Sequence, residues 1–143
     1  MNNKMSLKFI SLSENERFAR SVCAAFVLGL DPTLEEVSEI KTAISEAVTN
    51  AIIHGYNGEI GEVLLEAEID DREVTYIIKD YGCGINDIKK AREPLYTGKP
   101  NTERSGMGFS IMEAFMDELE VDSKVGEGTS ITMKKSFSCD AEQ

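Results

Sequence analysis

Glu46-Ala-Val-Thr-Asn50-Ala-Ile-Ile-His54-Gly55 closes the most strongly helical run of the chain. Val37, Ile40, Ala43, Ile44, Ala47, Val48 and Ala51 recur at helical spacing. One long helix with an apolar face is therefore predicted from Asp31-Pro32-Thr33 to His54-Gly55, where Gly is a usual residue past a last turn. Glu46 and Asn50 are four apart, so they stack on one helical face about 5–6 Å from each other. That face lies at the edge of the apolar stripe, where a cleft has room to form.

Two further segments follow in order, Asp80-Tyr-Gly82-Cys-Gly84-Ile85 and Arg104-Ser105-Gly106-Met107-Gly108-Phe109. Asn50 offers a neutral oxygen of the kind magnesium accepts. Glu46 is placed to hold a magnesium-bound water or to act as general base on an attacking hydroxyl. Asp80 ends a predicted strand, and its carboxylate can accept from the amino group of adenine, where guanine presents an acceptor instead. Gly82 and Gly84 allow backbone shapes and close ligand approach that side chains block. Gly106 and Gly108 precede a helix, whose free N–H groups and dipole favour phosphate. Ser105 and Met107 belong to the same candidate phosphate segment, and Lys99 and Arg104 are within reach of phosphate oxygens. Thr129, after Gly126-x-Gly128, heads the last strand with its hydroxyl placed near the adenine end.

Each feature alone has a plainer meaning: a polar helix edge, a strand-ending turn, an ordinary helix start, solvated cations. In this order and within 143 residues they make one pocket for ATP and magnesium that needs no P-loop. Such a pocket implies phosphoryl transfer or an ATP-gated binding surface.

The flanking elements complete a fold. Leu7 to Ser11 reads as a first strand. Ser13 reads as an N-cap, with Glu16 at the capping-box spacing, and a helix follows to about Leu28. Phe18, Val22, Ala25, Phe26 and Gly29 are expected on or near its buried side. Val63, Leu65, Ala67 and Ile69 alternate, as do Val74, Tyr76 and Ile78, and the tight turn Asp70-Asp71-Arg72 makes the two strands antiparallel neighbours. The polar stretch from Asn86 to Ser105 is expected as a long functional or mobile loop. Gly108 to Asp117 reads as a helix. Leu119–Asp122 and Ser130–Phe137 read as a closing hairpin, and the tail from Ser138 to Gln143 as frayed. The fold class is α+β: a two-layer sandwich with helices on one face of a mostly antiparallel sheet.

A chain of 143 residues is expected to be one domain, burying about 68–70% of its unfolded surface. Its net charge of −11 argues against direct nucleic-acid binding and favours basic protein partners. No signal peptide is expected, and no stretch approaches the roughly 20 apolar residues of a membrane span. Three scattered cysteines, Cys23, Cys83 and Cys139, with one histidine suggest neither a disulfide framework nor structural zinc. A reducing, cytoplasmic setting is expected.

The three segments resemble those of the Bergerat-fold (GHKL) ATPases and kinases, the group that includes gyrase, histidine kinases and MutL. The likeness runs from about Ser13 to Met133. Ser45 to Gly55 and Glu103 to Phe109 look most like the small serine-protein kinases that double as anti-sigma factors. The resemblance implies that Asn50 holds magnesium, Glu46 is the catalytic base and Asp80 reads adenine. It implies that Gly82 and Gly84 shape the pocket, Gly106 and Gly108 cap the phosphates, Thr129 supports the adenine end, and residues 86–105 form the lid. It also implies a homodimer that binds a sporulation sigma factor (sigma-F type) with ATP and phosphorylates a serine of an anti-anti-sigma protein. Cys83, where the group often has a small apolar residue, and the short loop Tyr56–Gly61 are modest departures. The alternatives are an ATP-gated binding module without significant kinase activity, or the catalytic domain of a histidine-kinase-like system. For partner docking, Glu16, Arg17 and Arg20 on the first helix are candidates, Arg being enriched in interface hot spots.

Overall fold

A computed structural model describes residues 2–93 and 108–138. The elements run β1 (Asn2–Ile10), α1 (Glu14–Phe26), α2 (Leu34–Thr49), β2 (Glu62–Asp70), β3 (Glu73–Asp80), α3 (Ile88–Ala91), α4 (Gly108–Phe115), β4 (Glu118–Lys124) and β5 (Gly128–Ser136). The five strands form one antiparallel sheet in the order β1-β2-β3-β5-β4. α2 packs between α1 and α4. The α+β layering read from the sequence is the observed one.

Alternation dictates which sheet face the helices cover. Val63, Leu65, Ala67 and Ile69 of β2, Val74, Tyr76 and Ile78 of β3, and Ile131 and Met133 of β5 are buried. Against them lie Ile40, Ala43, Ile44, Ala47 and Val48 of α2. Fully burying each large aliphatic side chain contributes about 1.5–3 kcal/mol, so this layer carries most of the fold's stability. The buried phenol among the described core residues is satisfied: the Tyr76 hydroxyl donates to the Cys23 carbonyl at 2.8 Å. The β2–β3 connection is the expected tight turn, with Asp70 paired to Glu73 and Asp71 at φ 59°.

Three expectations are corrected. First, α1 presents Ala19, Cys23 and Ala24, continued by Val27, to the core. Phe18, Ala25 and Gly29 are exposed, and Val22 and Phe26 half-buried. Small side chains, not the large ones, let α1 lie against α2. Second, Ser13 makes no side-chain cap bond, because its backbone is already helical at φ −61°, ψ −30°. Glu16 pairs instead with Arg20 at 3.4 Å. The capping box forms at α2, where Thr33 is extended and its Oγ1 accepts from the Glu36 N–H, while Glu36 accepts from the Thr33 N–H at 2.8 Å. Third, the segment expected as loop from Asn86 to Ser105 contains α3, capped by Asp87, whose carboxylate accepts from the Lys90 N–H at 3.1 Å. The rest of that segment, 94–105, lies outside the described residues, as do 139–143 of the expected frayed tail. β1 is also longer than expected, because it pairs with β2 along its whole length, from Asn2–Asp70 to Ile10–Glu62.

Candidate functional site

The long helix does not end as a plain α-helix. α2 stops at Thr49, and Asn50–Gly55 continues as a π-helical turn in which the Tyr56 N–H reaches the Ala51 carbonyl at 3.1 Å. Between Glu46 and Asn50 the helical spacing is intact, since the Asn50 N–H still bonds the Glu46 carbonyl. The two side chains therefore share a face, as their spacing predicted, and both are half-buried. π-turns of this kind are frequent at functional sites. Here the turn carries Gly55 against the end of β3.

Gly55 is more than a stop signal. A Cβ there would sit 2.7 Å from Cγ of Asp80. A Cβ on Gly82 would sit 1.9 Å from the Gly55 carbonyl oxygen, and that same carbonyl accepts from the Cys83 N–H at 2.8 Å. The helix end and the Asp80-to-Gly84 turn thus touch through two glycines: a side chain on Gly55 would displace the Asp80 carboxylate, and one on Gly82 would displace the Gly55 backbone. A Cβ on Gly84, whose φ is 79°, would sit 2.2 Å from the Lys124 carbonyl oxygen, so it too must be glycine.

Register builds the floor. Asp80 pairs with Thr129, and Thr129 with Ser123, so three polar side chains end three adjacent strands on the helix-covered face. Asp80 and Thr129 are each 5% exposed. One Asp80 carboxylate oxygen accepts from the Gly82 N–H at 2.9 Å. Burial pushes the Asp80 carboxyl above its usual value, against the opposing pull of the Gly82 and Thr129 N–H groups. Tyr56 braces the rim: its hydroxyl donates to the Glu62 carbonyl and accepts from the Tyr81 N–H at 2.8 Å.

Of the residues singled out from sequence, Asp80, Gly82, Gly84 and Thr129 converge here, with Glu46 and Asn50 on the helix that runs into them. Gly108 begins α4, which packs on α2. Lys99, Arg104, Ser105, Gly106 and Met107 lie outside the described residues. Glu16, Arg17 and Arg20 lie on α1. Arg20 also lines an open groove of about 350 Å³ with Leu34, Val37, Ser38, Lys41 and Thr42. Sequence reasoning missed Ser123 and Tyr56 and undervalued Gly55. An unremarkable strand serine carries no signal until the register sets it beside Thr129.

No cluster of three or more His, Cys, Asp or Glu able to hold a metal occurs among the described residues. Asn50 with Glu46 one turn away fits magnesium of the type held by few protein oxygens plus phosphates and water. No described helix is long and apolar enough to cross a membrane.

Residues 9–135 match the family described as the histidine kinase-like ATPase domain. The chain belongs to that family. It is 60% identical over 136 residues to an anti-sigma F factor of Clostridium beijerinckii, covering 94% of this chain and 95% of that one. It is 58% identical over 137 residues to an anti-sigma F factor of Clostridium acetobutylicum, covering 96% of each. The solved catalytic domain of the histidine kinase ThkA matches the fold with a TM-score of 0.58 at 18% identity, over 92% of this chain and 95% of that one. The chain thus carries an ATPase domain of the kinase-like type.

Proposed function

We propose that this protein is an ATP-dependent anti-sigma factor. It binds and inhibits a sporulation sigma factor of the sigma-F type, and it phosphorylates a serine of an anti-anti-sigma antagonist. The observation that carries the catalytic half is Glu46 one turn before Asn50, on the helix whose π-turn abuts Asp80. The high identity to anti-sigma F factors supports the regulatory half.

In this mechanism Asp80 accepts from the adenine amino group and Thr129 flanks it. Gly106 and Gly108, with Lys99, Arg104, Ser105 and Met107, hold the phosphates. Asn50 would hold magnesium, which would supply charge neutralisation on the phosphates. The serine hydroxyl attacks the γ-phosphorus, the bond to the β-phosphate bridging oxygen breaks, and Glu46 takes the hydroxyl proton. Positioning and charge stabilisation supply most of the catalysis. The chain acts as a homodimer, for which the open edge of β1 and the exposed Ile10, Leu12 and Phe18 supply surface. Glu16, Arg17 and Arg20 contribute to partner docking.

The test is phosphotransfer from γ-labelled ATP with magnesium to a candidate anti-anti-sigma protein, with Glu46→Gln alongside. Label on a partner serine, lost in E46Q while ATP still binds, is the expected result. Full transfer by E46Q, or by Asn50→Ala, would overturn the assigned roles. ATP and sigma-factor binding without transfer would leave an ATP-gated binding module.

A further inference from the structure

Ser123, on β4, sits at a junction that the phosphotransfer chemistry does not use. Its Oγ accepts from the Ile85 N–H at 2.7 Å and donates to the Gly128 carbonyl at 3.0 Å. It also lies 2.8 Å from Oγ1 of Thr129. A serine hydroxyl has one proton and two lone pairs. With the proton directed at Gly128 and one lone pair at Ile85, the remaining lone pair faces Thr129. Either hydroxyl could be the donor on distance alone, and the other two bonds of Ser123 assign that part to Thr129, which spends its only hydroxyl proton on Ser123.

Thr129 is paired with Asp80 across β3 and β5, and both are almost wholly buried. An ionised carboxylate only accepts. The consequence is two acceptors side by side at one end of the pocket, with no hydroxyl proton free to turn toward a ligand. Adenine presents an amino donor where guanine presents a carbonyl oxygen. Two acceptors suit the first and repel the second. We infer, resting on the adenine assignment of the proposed function, that Ser123 is a specificity-determining positioning residue: it holds Thr129 as a pure acceptor and thereby excludes guanine nucleotides.

Removing the Ser123 hydroxyl releases the Thr129 proton. Thr129 can then rotate to donate to a guanine carbonyl, so discrimination falls through improved guanine binding and not through a general loss of affinity. The experiment measures dissociation constants for ADP and GDP by calorimetry, which needs no phosphotransfer and so stands apart from failure of the kinase assignment. Wild-type protein is expected to prefer ADP. In Ser123→Ala the preference should fall by roughly tenfold, the scale of one base-edge contact. Ser123→Thr, which keeps the hydroxyl, should retain it. In a Thr129→Val background, Ser123→Ala should change the ratio no further, because the proton it releases is gone. Should S123A fail to fold, Ser123→Cys, whose thiol is a weak hydrogen-bonding group of similar shape, carries the same expectation. An ADP-to-GDP ratio within about twofold of wild type would overturn the inference, since a single lost contact of this kind shifts it further. So would an equal weakening of both nucleotides, which marks a merely structural role.

Discussion

Asp80, the proposed adenine-reading residue, is held at a cost to the fold. Its carboxylate is 5% exposed, and burial disfavours the charged form, so its proton is held more tightly in the folded chain than in the unfolded one. The stability linked to this group is therefore full below the unfolded pKa and is lost as pH rises through the raised folded value. Asp80→Asn should raise the melting temperature at neutral pH, with the gain vanishing in acid, as thermal denaturation across pH will show. The same variant should weaken ADP binding by roughly 10- to 100-fold, because a hydrogen bond to a charged acceptor is lost. In the wild type, affinity for adenine nucleotides should fall on acidification at a higher pH than an ordinary carboxylate would dictate. Gly55→Ala should have the same effect on binding from the other side, since its Cβ would stand 2.7 Å from the Asp80 carboxyl carbon.

Helix ends separate what a motif suggests from what geometry completes. Ser13 and Thr33 both precede a Glu at the capping-box spacing, yet only Thr33 has the extended backbone that turns its oxygen onto the helix. Thr33→Ala should cost about 1 kcal/mol and lower the melting temperature by about 3 °C. Ser13→Ala should stay within about 0.5 kcal/mol, the range of a surface change that breaks no bond. At the other end of the helical layer, Lys135 of β5 is 7% exposed, bonds Glu39 of α2 at 2.8 Å and donates to the Phe115 carbonyl at the end of α4 at 2.8 Å. One amine thus ties α4, whose start is the candidate phosphate end, to α2 and the sheet. Lys135→Met should destabilise by about 1–3 kcal/mol, leaving a carboxylate and a carbonyl without their donor, as denaturant titration will measure.

At the scale of the molecule, several large apolar side chains stand in solvent. Phe18 is 52% exposed, and Ile10, Leu12, Leu28 and Leu34 are exposed as well. Phe18→Asp should leave the melting temperature nearly unchanged, because the side chain is not in the core. Sedimentation should show weaker self-association, because Phe18 is among the residues proposed to join two copies. Among the elements, β2, β3, α2 and the β4–β5 hairpin were legible because their periodicity is unbroken from end to end. α1 was misjudged in orientation because both its large and its small apolar residues follow a helical repeat, and size alone does not say which stripe packs. The placement of Asp80 beside Thr129, and of Glu46 one turn before Asn50, follows from strand and helix spacing, and the ligand chemistry proposed for them rests on their types and order. Ser123 and Tyr56 were not legible, for nothing local distinguishes them.

By itself the chain determined its strands and helices, the antiparallel layering and the family of the pocket, because alternation, helical spacing and glycine placement are local properties of the backbone. Only the tertiary structure decided which stripe of α1 is buried, which of two capping boxes closes, and that Gly55 must be bare for Asp80 to stand behind it. It alone set Ser123 beside Thr129. Each of these depends on contact between segments far apart in sequence, and a hydroxyl's single proton has a direction only once its neighbours are in place.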